Sequence, residues 1–274
     1  MLRRQLLAGV LAVTGMAPLA VAQDEAPPAS QTEPAVDADK ARAKALFVIG
    51  RHIRAVGGED AIRSAEFITI RGTFEIGAAN FVGRVTSMRA HPPRLVTRLE
   101  LGPMGVLVQG YDGSTAWTVH PASGPALLEG SAGTSMARNA DIQSDLHYER
   151  DFETIEFLGD DEFKSEPVFA IRLVDHDGTE TIEYFAQGSG LRLGVRGTRL
   201  AGEDTVPYSI SLSAYEEYGR LKLPMKTVET VGQQAITVNI EDVSLERIEE
   251  DVFDAPDAVL ALTESAGEGA DGDP

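Results

Sequence analysis

Five histidines are the side chains of this sequence best suited to metal binding or proton transfer. They are His52, His91, His120, His147 and His176. No two of them form an H-x-x-x-H or H-E-x-x-H arrangement, which would place two imidazoles on one helix face, so no zinc site is expected. The segment Asp175-His176-Asp177-Gly178 contains carboxylates for a metal loop, but its residue types favour a solvated hairpin turn.

Motifs for covalent catalysis are missing from the sequence as well. There is no G-x-S-x-G elbow and no phosphate-binding glycine loop. The segment Gly159-Asp160-Asp161-Glu162 lacks the ligand spacing of an EF-hand and is expected to form a turn. Tyr184, Tyr208 and Tyr215 fall in predicted strands, where aromatic rings pack. We therefore expect no enzyme, no catalytic residue, no metal and no cofactor. An enzyme would need polar groups that converge in a cavity, and sequence spacing does not reveal such convergence.

The composition of the chain excludes several classes of partner. Its 274 residues include 24 basic and 43 acidic residues, a net charge of −19. Nucleic acid is excluded because phosphate binding needs a basic stripe, and an anionic lipid surface would repel the chain. No cysteine is present, which excludes disulfides, a thiolate nucleophile and a lipid-modified N-terminus. Apolar residues make up 43% of the chain, which is sufficient to build a core. The length is compatible with one large all-β domain or two small ones.

The first 36 residues are predicted to precede the folded domain. Residues 1–22 have the three parts of a secretory signal peptide: Arg3-Arg4, the apolar run Leu6 to Val13 and the cleavage site Ala20-Val21-Ala22. The apolar run is too short to span a bilayer, although a membrane anchor is the alternative. The arginine pair also resembles a twin-arginine signal. Residues 23–36 are predicted to form a flexible linker. Without Arg3 and Arg4, 22 basic residues stand against 43 acidic ones, which gives a charge near −21.

Two segments have a helical pattern. Asp37 to Val56 begins with capping aspartates, ends at Gly57-Gly58 and carries an apolar stripe with helical spacing. The stripe consists of Ala41, Ala45, Leu46, Ile49 and Ile53. Ser131 to Arg150 loses the strand alternation and is predicted to form a second helix or a helical lid.

Most of the remaining chain alternates with period two, which predicts an antiparallel sheet. A hairpin at Asp112-Gly113 lies at its centre, because these two residues close tight turns. Trp117, the only tryptophan, follows as a core anchor. The second half of the chain shows the same period-two alternation, with turn-forming residues between the predicted strands. Helices do not alternate with these strands, which argues against a nucleotide-binding α/β fold. Val252 and Phe253 are expected to dock, and residues 257–274 to form an acidic disordered tail.

Three segments, in this order, resemble the periplasmic lipoprotein carriers and outer-membrane lipoprotein-sorting proteins of the LolA/LolB type. They are Val56-Gly57-Gly58 with Ala61-Ile62 and Arg71-Gly72-Thr73-Phe74; Gln109-Gly110-Tyr111-Asp112-Gly113 with Trp117; and Leu221-Lys222-Leu223-Pro224. The resemblance implies a mainly β fold over residues 37–256, a curved antiparallel half-barrel with covering helices. It also implies a buried arginine that holds the helical lid. Arg71, Arg84 and Arg89 lie in early strands, but Arg71 faces outward if Ile70 and Phe74 face inward.

The family holds acyl chains in an apolar concavity without covalent chemistry, and the same function is expected here. Alternation predicts the walls of this cavity, and a filled core is the alternative because it has the same pattern. The predicted walls are Ile70, Phe74, Val85, Leu99, Val106, Val108, Trp117, Ile171, Ile182, Tyr184, Ile210 and Leu212. We expect a soluble, non-lipidated monomer in the periplasm that carries a lipid or an acylated lipoprotein. The alternative is an envelope sensor domain of the same fold that binds a protein partner.

Overall fold

The structure is a computed structural model that describes residues 35–201 and 204–268. The predicted signal peptide and nearly all of the predicted linker therefore lie outside the described residues. The described helices are α1 (Ala35–Ala55), α2 (Glu59–Arg63), α3 (Gly130–Ala140), α4 (Tyr148–Asp151) and α5 (Asp257–Glu268).

Within the described residues, thirteen strands form one antiparallel sheet. The strands are β1 (Phe67–Ile76), β2 (Phe81–Ala90), β3 (Arg94–Glu100), β4 (Val106–Tyr111), β5 (Ala116–His120), β6 (Gly124–Leu127), β7 (Phe152–Phe163), β8 (Glu166–Asp175), β9 (Glu180–Ala186), β10 (Arg192–Ala201), β11 (Asp204–Tyr218), β12 (Leu221–Val231) and β13 (Gln234–Ser244). Their spatial order is β6-β5-β4-β3-β2-β1-β13-β12-β11-β10-β9-β8-β7. The predicted class, a mainly β curved antiparallel sheet with a few helices, is confirmed.

The chain builds this sheet from its middle outwards. It runs from β1 to the β6 edge, crosses through α3 and α4 to the opposite edge at β7, and returns strand by strand to β13. Every pairing except β1 with β13 joins consecutive strands, so local turns fix most of the register. The crossing segment covers the sheet without adding a strand to it.

The predicted hairpin between β4 and β5 forms, but it lies next to the β6 edge of the sheet and not at its centre. Asp112 Oδ1 accepts hydrogen bonds from the backbone N–H groups of Ser114 and Thr115, each at 2.8 Å. Gly110 pairs with Trp117, and a Cβ on this glycine would lie 2.6 Å from Cζ2 of the indole ring. A glycine is therefore required for the buried Trp117 ring to pack against β4.

Both faces of the sheet are packed. We call the face that carries α1 and α3 the inner face; it includes Phe74, Leu95 and Ile171. The outer face carries the C-terminal residues, where Trp117 clusters with Phe253. The docking of Phe253, which is 1% exposed, is as predicted. Burial on both faces makes alternation ambiguous, because either set of alternate residues then looks like a core face.

Two local predictions need correction. The predicted helix or helical lid from Ser131 to Arg150 forms as two helices, α3 and α4, and is interrupted at Asp141, whose carboxylate accepts a hydrogen bond from the N–H of Gln143 at 2.9 Å. Such a bond offers the backbone an alternative to the helix. The predicted turn Gly159-Asp160-Asp161-Glu162 lies inside the edge strand β7, just after a bulge. Charged side chains on an edge strand discourage pairing with another chain, so this acidic segment is compatible with a strand.

The predicted disordered tail is also wrong for its first twelve residues, which form α5. Val259 is 0% exposed and contacts the cluster around Trp117, so apolar burial outweighs the acidic composition. Residues 269–274 lie outside the described part of the chain. No helix among the described residues has the length and apolar character needed to cross a membrane.

Candidate functional site

Helices cover the inner face on its two sides. On one side, Ala45, Val48 and Ile49 of α1 pack on a cluster from β7, β8 and β9 that includes Phe185. On the other side, Ala132, Met136 and Ala140 of α3 pack on Leu95 and Ala116 of β3 and β5. The strands between these two regions belong to the middle of the sheet.

The middle of the inner face carries apolar side chains that keep part of their surface exposed. The strand register places them on the same face as Phe74, along β1, β13, β11 and β10. We call this set the central strip; it comprises Ile70, Val195, Ile210, Leu212 and Ile240. A partly exposed apolar surface bordered by two helices is suited to an apolar ligand.

Seven of the twelve predicted wall residues lie on the inner face, in three different settings. Ile70, Ile210 and Leu212 belong to the central strip. Phe74, Val85 and Leu99 are at most 5% exposed and form a closed cluster with one another. Ile171 is 0% exposed beneath α1. The predicted cavity wall thus corresponds to partly exposed surface at three positions and to filled core at four.

The other five predicted wall residues lie on the outer face, which corrects the prediction. Val106, Val108 and Trp117 face away from Phe74, because Gln109 and Leu107 are the inward residues of β4. Ile182 and Tyr184 also face outward. They cluster with Phe163, whose ring stacks on Tyr184 at a centroid distance of 4.9 Å. If the inward-facing residues of a strand are assigned one position too early or too late, every side chain is placed on the wrong face. In these strands both sets of alternate residues contain apolar side chains, so the sequence does not show which set faces inward.

A buried polar network joins α1 to the inner face. Arg192 donates hydrogen bonds from Nη1 to the Tyr148 hydroxyl and to Glu183 Oε1, each at 3.0 Å. Tyr148 in turn donates to Glu183 Oε2 at 2.5 Å. Asp145 lies 3.5 Å from Arg192 Nη2 and 3.5 Å from Nε2 of the buried His52 of α1. Sequence reasoning missed this network because its members come from five elements without a shared spacing.

Burial and charge shift the pKa values in this network. Burial, followed by the Glu183 carboxylate, raises the pKa of Tyr148 well above its ordinary value. Burial alone would raise the pKa of Asp145, but the charge of Arg192 and the hydrogen bond to His52 outweigh it and lower that pKa. The tyrosine is therefore neutral and Asp145 is charged at neutral pH, so the ion pair of Arg192 with Asp145 lies against His52 of α1.

A second polar group lies on the inner face beside the central strip. Arg199 forms an ion pair with Glu229 at 2.5 Å and lies over the Tyr208 ring, 5.2 Å from its centroid. Burial raises the pKa of Glu229, and the charge of Arg199 opposes this effect. The pair is mutually neutralised and leaves the apolar character of the strip intact.

The arginines suggested as a lid latch are on different faces. Arg71 faces outward and pairs with Asp242 at 2.8 Å, which agrees with its predicted orientation. Arg84 is also on the outer face. Arg89 faces inward, but its side chain donates no hydrogen bond to a helix among the described residues. The latch expected from the resemblance is therefore not formed in the part of the chain that the structure describes.

The histidines and a cavity beside α2 lie outside the central strip. No group of three or more His, Asp or Glu side chains that could hold a metal ion occurs within the described residues. His147 is bonded to Asp141 at 2.8 Å, and His176 to the backbone of Arg150 at 2.9 Å. A cavity of about 630 Å³ lies between α2 and the end of the sheet, and none of the twelve predicted wall residues lines it. Arg220 and Arg247 are among its lining residues.

Comparison with known proteins identifies the fold. No protein-family model matches the sequence, and no curated protein matches it significantly. Among solved structures, a LolA superfamily protein from Nitrosomonas europaea is similar at a TM-score of 0.55 and 10% identity, with 77% of this chain and 97% of that chain covered. The chain has a LolA-like fold.

Two further structures agree with this assignment. A DUF1329 family protein from Desulfovibrio piger has a TM-score of 0.53 at 8% identity, covering 78% of this chain and 97% of its own. A putative outer membrane lipoprotein-sorting protein domain from Vibrio parahaemolyticus has a TM-score of 0.51 at 13% identity, covering 79% and 97%. In this fold α1 and α3 cover the inner face of the curved sheet, and the central strip lies between them.

Proposed function

We propose that the protein binds an acyl chain, as a free lipid or as part of a lipoprotein, on the central strip and carries it through the periplasm without covalent chemistry. The observation that carries this proposal is the set of partly exposed apolar side chains between α1 and α3, which includes Ile210 and Leu212. The strip runs across the neighbouring strands β1, β13, β12, β11 and β10. Four strand spacings give it a width of about 19 Å. An extended acyl chain fits along this width.

Apolar burial supplies the affinity. Each methylene of an acyl chain that leaves water contributes about 0.8 kcal/mol. The Arg199–Glu229 pair beside the strip is neutralised, so it does not repel an apolar chain. The acidic surface of the protein favours solubility and disfavours direct adsorption to anionic membranes, which suits a carrier that moves between membranes.

The two covering helices have different roles in this proposal. The network from His52 to Glu183 fixes α1 to the sheet. In contrast, α3 contacts the sheet mainly through Ala132, Met136 and Ala140, with one ion pair from Arg138 to Asp175 at 3.2 Å. Two of these three side chains are alanines, which bury little area, so displacement of α3 costs less free energy than displacement of α1. We assign to α3 the role of the cover that moves when a ligand enters.

Native mass spectrometry of protein purified from the periplasm, followed by lipid extraction, tests the proposal. The expected result is a co-purifying lipid or acylated peptide, or uptake of a fluorescent fatty acid by the purified protein. An apo mass together with no fatty-acid uptake would contradict it. The same sample, from cells that express the full chain, also tests the predicted signal peptide. A secreted protein whose mass corresponds to a chain that starts at Gln23 would support it.

An envelope interaction domain is the second candidate, and one observation favours it. Val82, Met104 and Val106 are 62%, 51% and 36% exposed at one end of β2 to β4, with Val82 and Val106 on the outer face. Exposed apolar groups of this kind occur at protein contacts. Substitution of Val82 and Met104 by serine would weaken capture of an envelope partner without changing lipid uptake if this candidate is right.

A further inference from the structure

A row of buried polar side chains crosses the inner face beneath α3. The strand register aligns Ser87, Thr97, Gln109 and Thr118 on neighbouring strands β2 to β5, and each is at most 9% exposed. The Thr97 hydroxyl donates to Ser87 Oγ at 3.0 Å, so these two satisfy one another. Ile70 of the central strip is the next member of the same row on β1.

Gln109 is the member of this row whose polar atoms are not satisfied. Its side chain is 0% exposed, and neither Nε2 nor Oε1 has a hydrogen-bond partner among the described residues. A buried amide without partners costs free energy, and native proteins keep such a group where a ligand or a bound water completes it. The amide offers two donors and one acceptor to a group that enters the concavity.

Arg89 brings an uncompensated positive charge to the same place. It is the next inward residue after Ser87 on β2, between Ile68 and Leu95 of the adjacent strands. Its Nε is enclosed without a hydrogen-bond partner, and no carboxylate among the described residues pairs with it. Burial lowers the pKa of its guanidinium. Arg89 is half-buried, and a partly desolvated cation without a counter-ion is stabilised when an anion binds beside it.

We propose that Arg89 and Gln109 bind the oxyanion head of an amphiphilic ligand, a carboxylate or a phosphate monoester, while its acyl chain follows the central strip from Ile70. This inference rests on the proposed lipid-binding function and adds a defined orientation to it. Arg89 donates charge-assisted hydrogen bonds to the oxyanion, and the Gln109 amide N–H donates a further one. The head group lies beneath α3, so binding couples head recognition to the cover that moves.

The test compares three ligands of one chain length: palmitate, hexadecyl phosphate and hexadecanol. They are titrated into the mature protein, the Arg89→Met and Gln109→Leu variants and an Arg84→Met control on the outer face of the same strand. The wild type is expected to bind both anions at least about tenfold more tightly than the alcohol. Each inward variant is expected to lose most of this preference while its affinity for hexadecanol changes by less than about threefold, and Arg84→Met is expected to keep the preference.

The outcomes separate the two proposals. No binding of any of the three ligands would overturn the lipid-binding function and this inference together. Binding of the alcohol as tight as that of both anions, or an unchanged preference in Gln109→Leu and Arg89→Met, would overturn the head-group site alone. A preference for palmitate over hexadecyl phosphate, or the reverse, identifies which oxyanion the site takes. Gln109→Leu is close in volume to the wild-type side chain, so it keeps the test valid if Arg89→Met does not fold.

Discussion

Trp117 and Val259 lie in one buried cluster on the outer face, where they are 1% and 0% exposed. The C-terminal helix thus covers the tryptophan that follows the Asp112-Gly113 hairpin. This contact explains why β4 and β5 bury side chains on both faces. It also provides a spectroscopic probe, because Trp117 is the only tryptophan of the chain.

Substitution of Val259 by aspartate is expected to detach α5 and expose Trp117. A buried carboxylate without a partner costs on the order of 3 kcal/mol of unfolding free energy, and the tryptophan emission shifts to longer wavelength. The matched control is Leu260→Asp at the neighbouring position, which is 45% exposed and should change stability by less than about 1 kcal/mol. Urea unfolding followed by tryptophan fluorescence measures the unfolding free energy and the emission wavelength of both variants. Equal effects of the two variants would show that α5 does not dock through Val259.

The buried network beneath α1 predicts a large effect for Glu183. The Glu183→Ala substitution leaves Arg192 and the Tyr148 hydroxyl without their main partner and is expected to lower the unfolding free energy by about 3 kcal/mol. Glu180→Ala is the control on the same strand, because Glu180 pairs with Arg172 at 2.8 Å but is 48% exposed. This exposed pair should contribute less than about 1 kcal/mol. Similar losses in thermal unfolding of the two variants would contradict the account of the network.

Asp141 predicts a stability loss in acid. Burial alone would raise its pKa, but hydrogen bonds from Arg150, His147 and the Gln143 N–H outweigh it and lower the pKa below the ordinary value of 3.8. A carboxyl with a lowered folded-state pKa stabilises the fold above its unfolded-state pKa. That contribution is lost as the pH falls through 3.8 towards the folded-state value. Between pH values of about 6 and 3, the wild type should therefore lose more unfolding free energy than Asp141→Asn. Parallel pH curves for the two proteins would contradict this.

The sheet could be predicted from the sequence where the signal is local. The Asp112-Gly113 turn encodes its hairpin through bonds within four residues, and the structure contains those bonds. The face of a strand is a different kind of information, because it depends on what covers each side. On β4 and β5, one alternate set contains Val106, Val108 and Trp117, and the other contains Leu107 and Gln109. Because Gln109 is polar, the first set was predicted to face the core. The docking of α5 covers the face that carries Trp117, and the acidic composition of α5 concealed this docking.

The polar part of the candidate site was not predictable for a related reason. Gln109 and Arg89 gain their significance from burial beneath α3, which no spacing in the sequence encodes. The same holds for His52 and Glu183, which meet because α1 returns over strands far along the chain. Apolar members of the strip such as Leu212 were predictable, because β11 alternates clearly between apolar and polar residues.

The most direct measurement of the central claim compares Leu212→Glu with Ser213→Glu for uptake of a fluorescent fatty acid. The two residues are neighbours on β11, and Leu212 belongs to the central strip while Ser213 is exposed on the outer face. Both variants add the same charge, so the net charge changes equally, and thermal unfolding of each variant shows whether it is folded. The account predicts that Leu212→Glu weakens binding at least about tenfold and that Ser213→Glu binds within about twofold of the wild type. Equal binding by the two variants would contradict an acyl-chain site on the central strip.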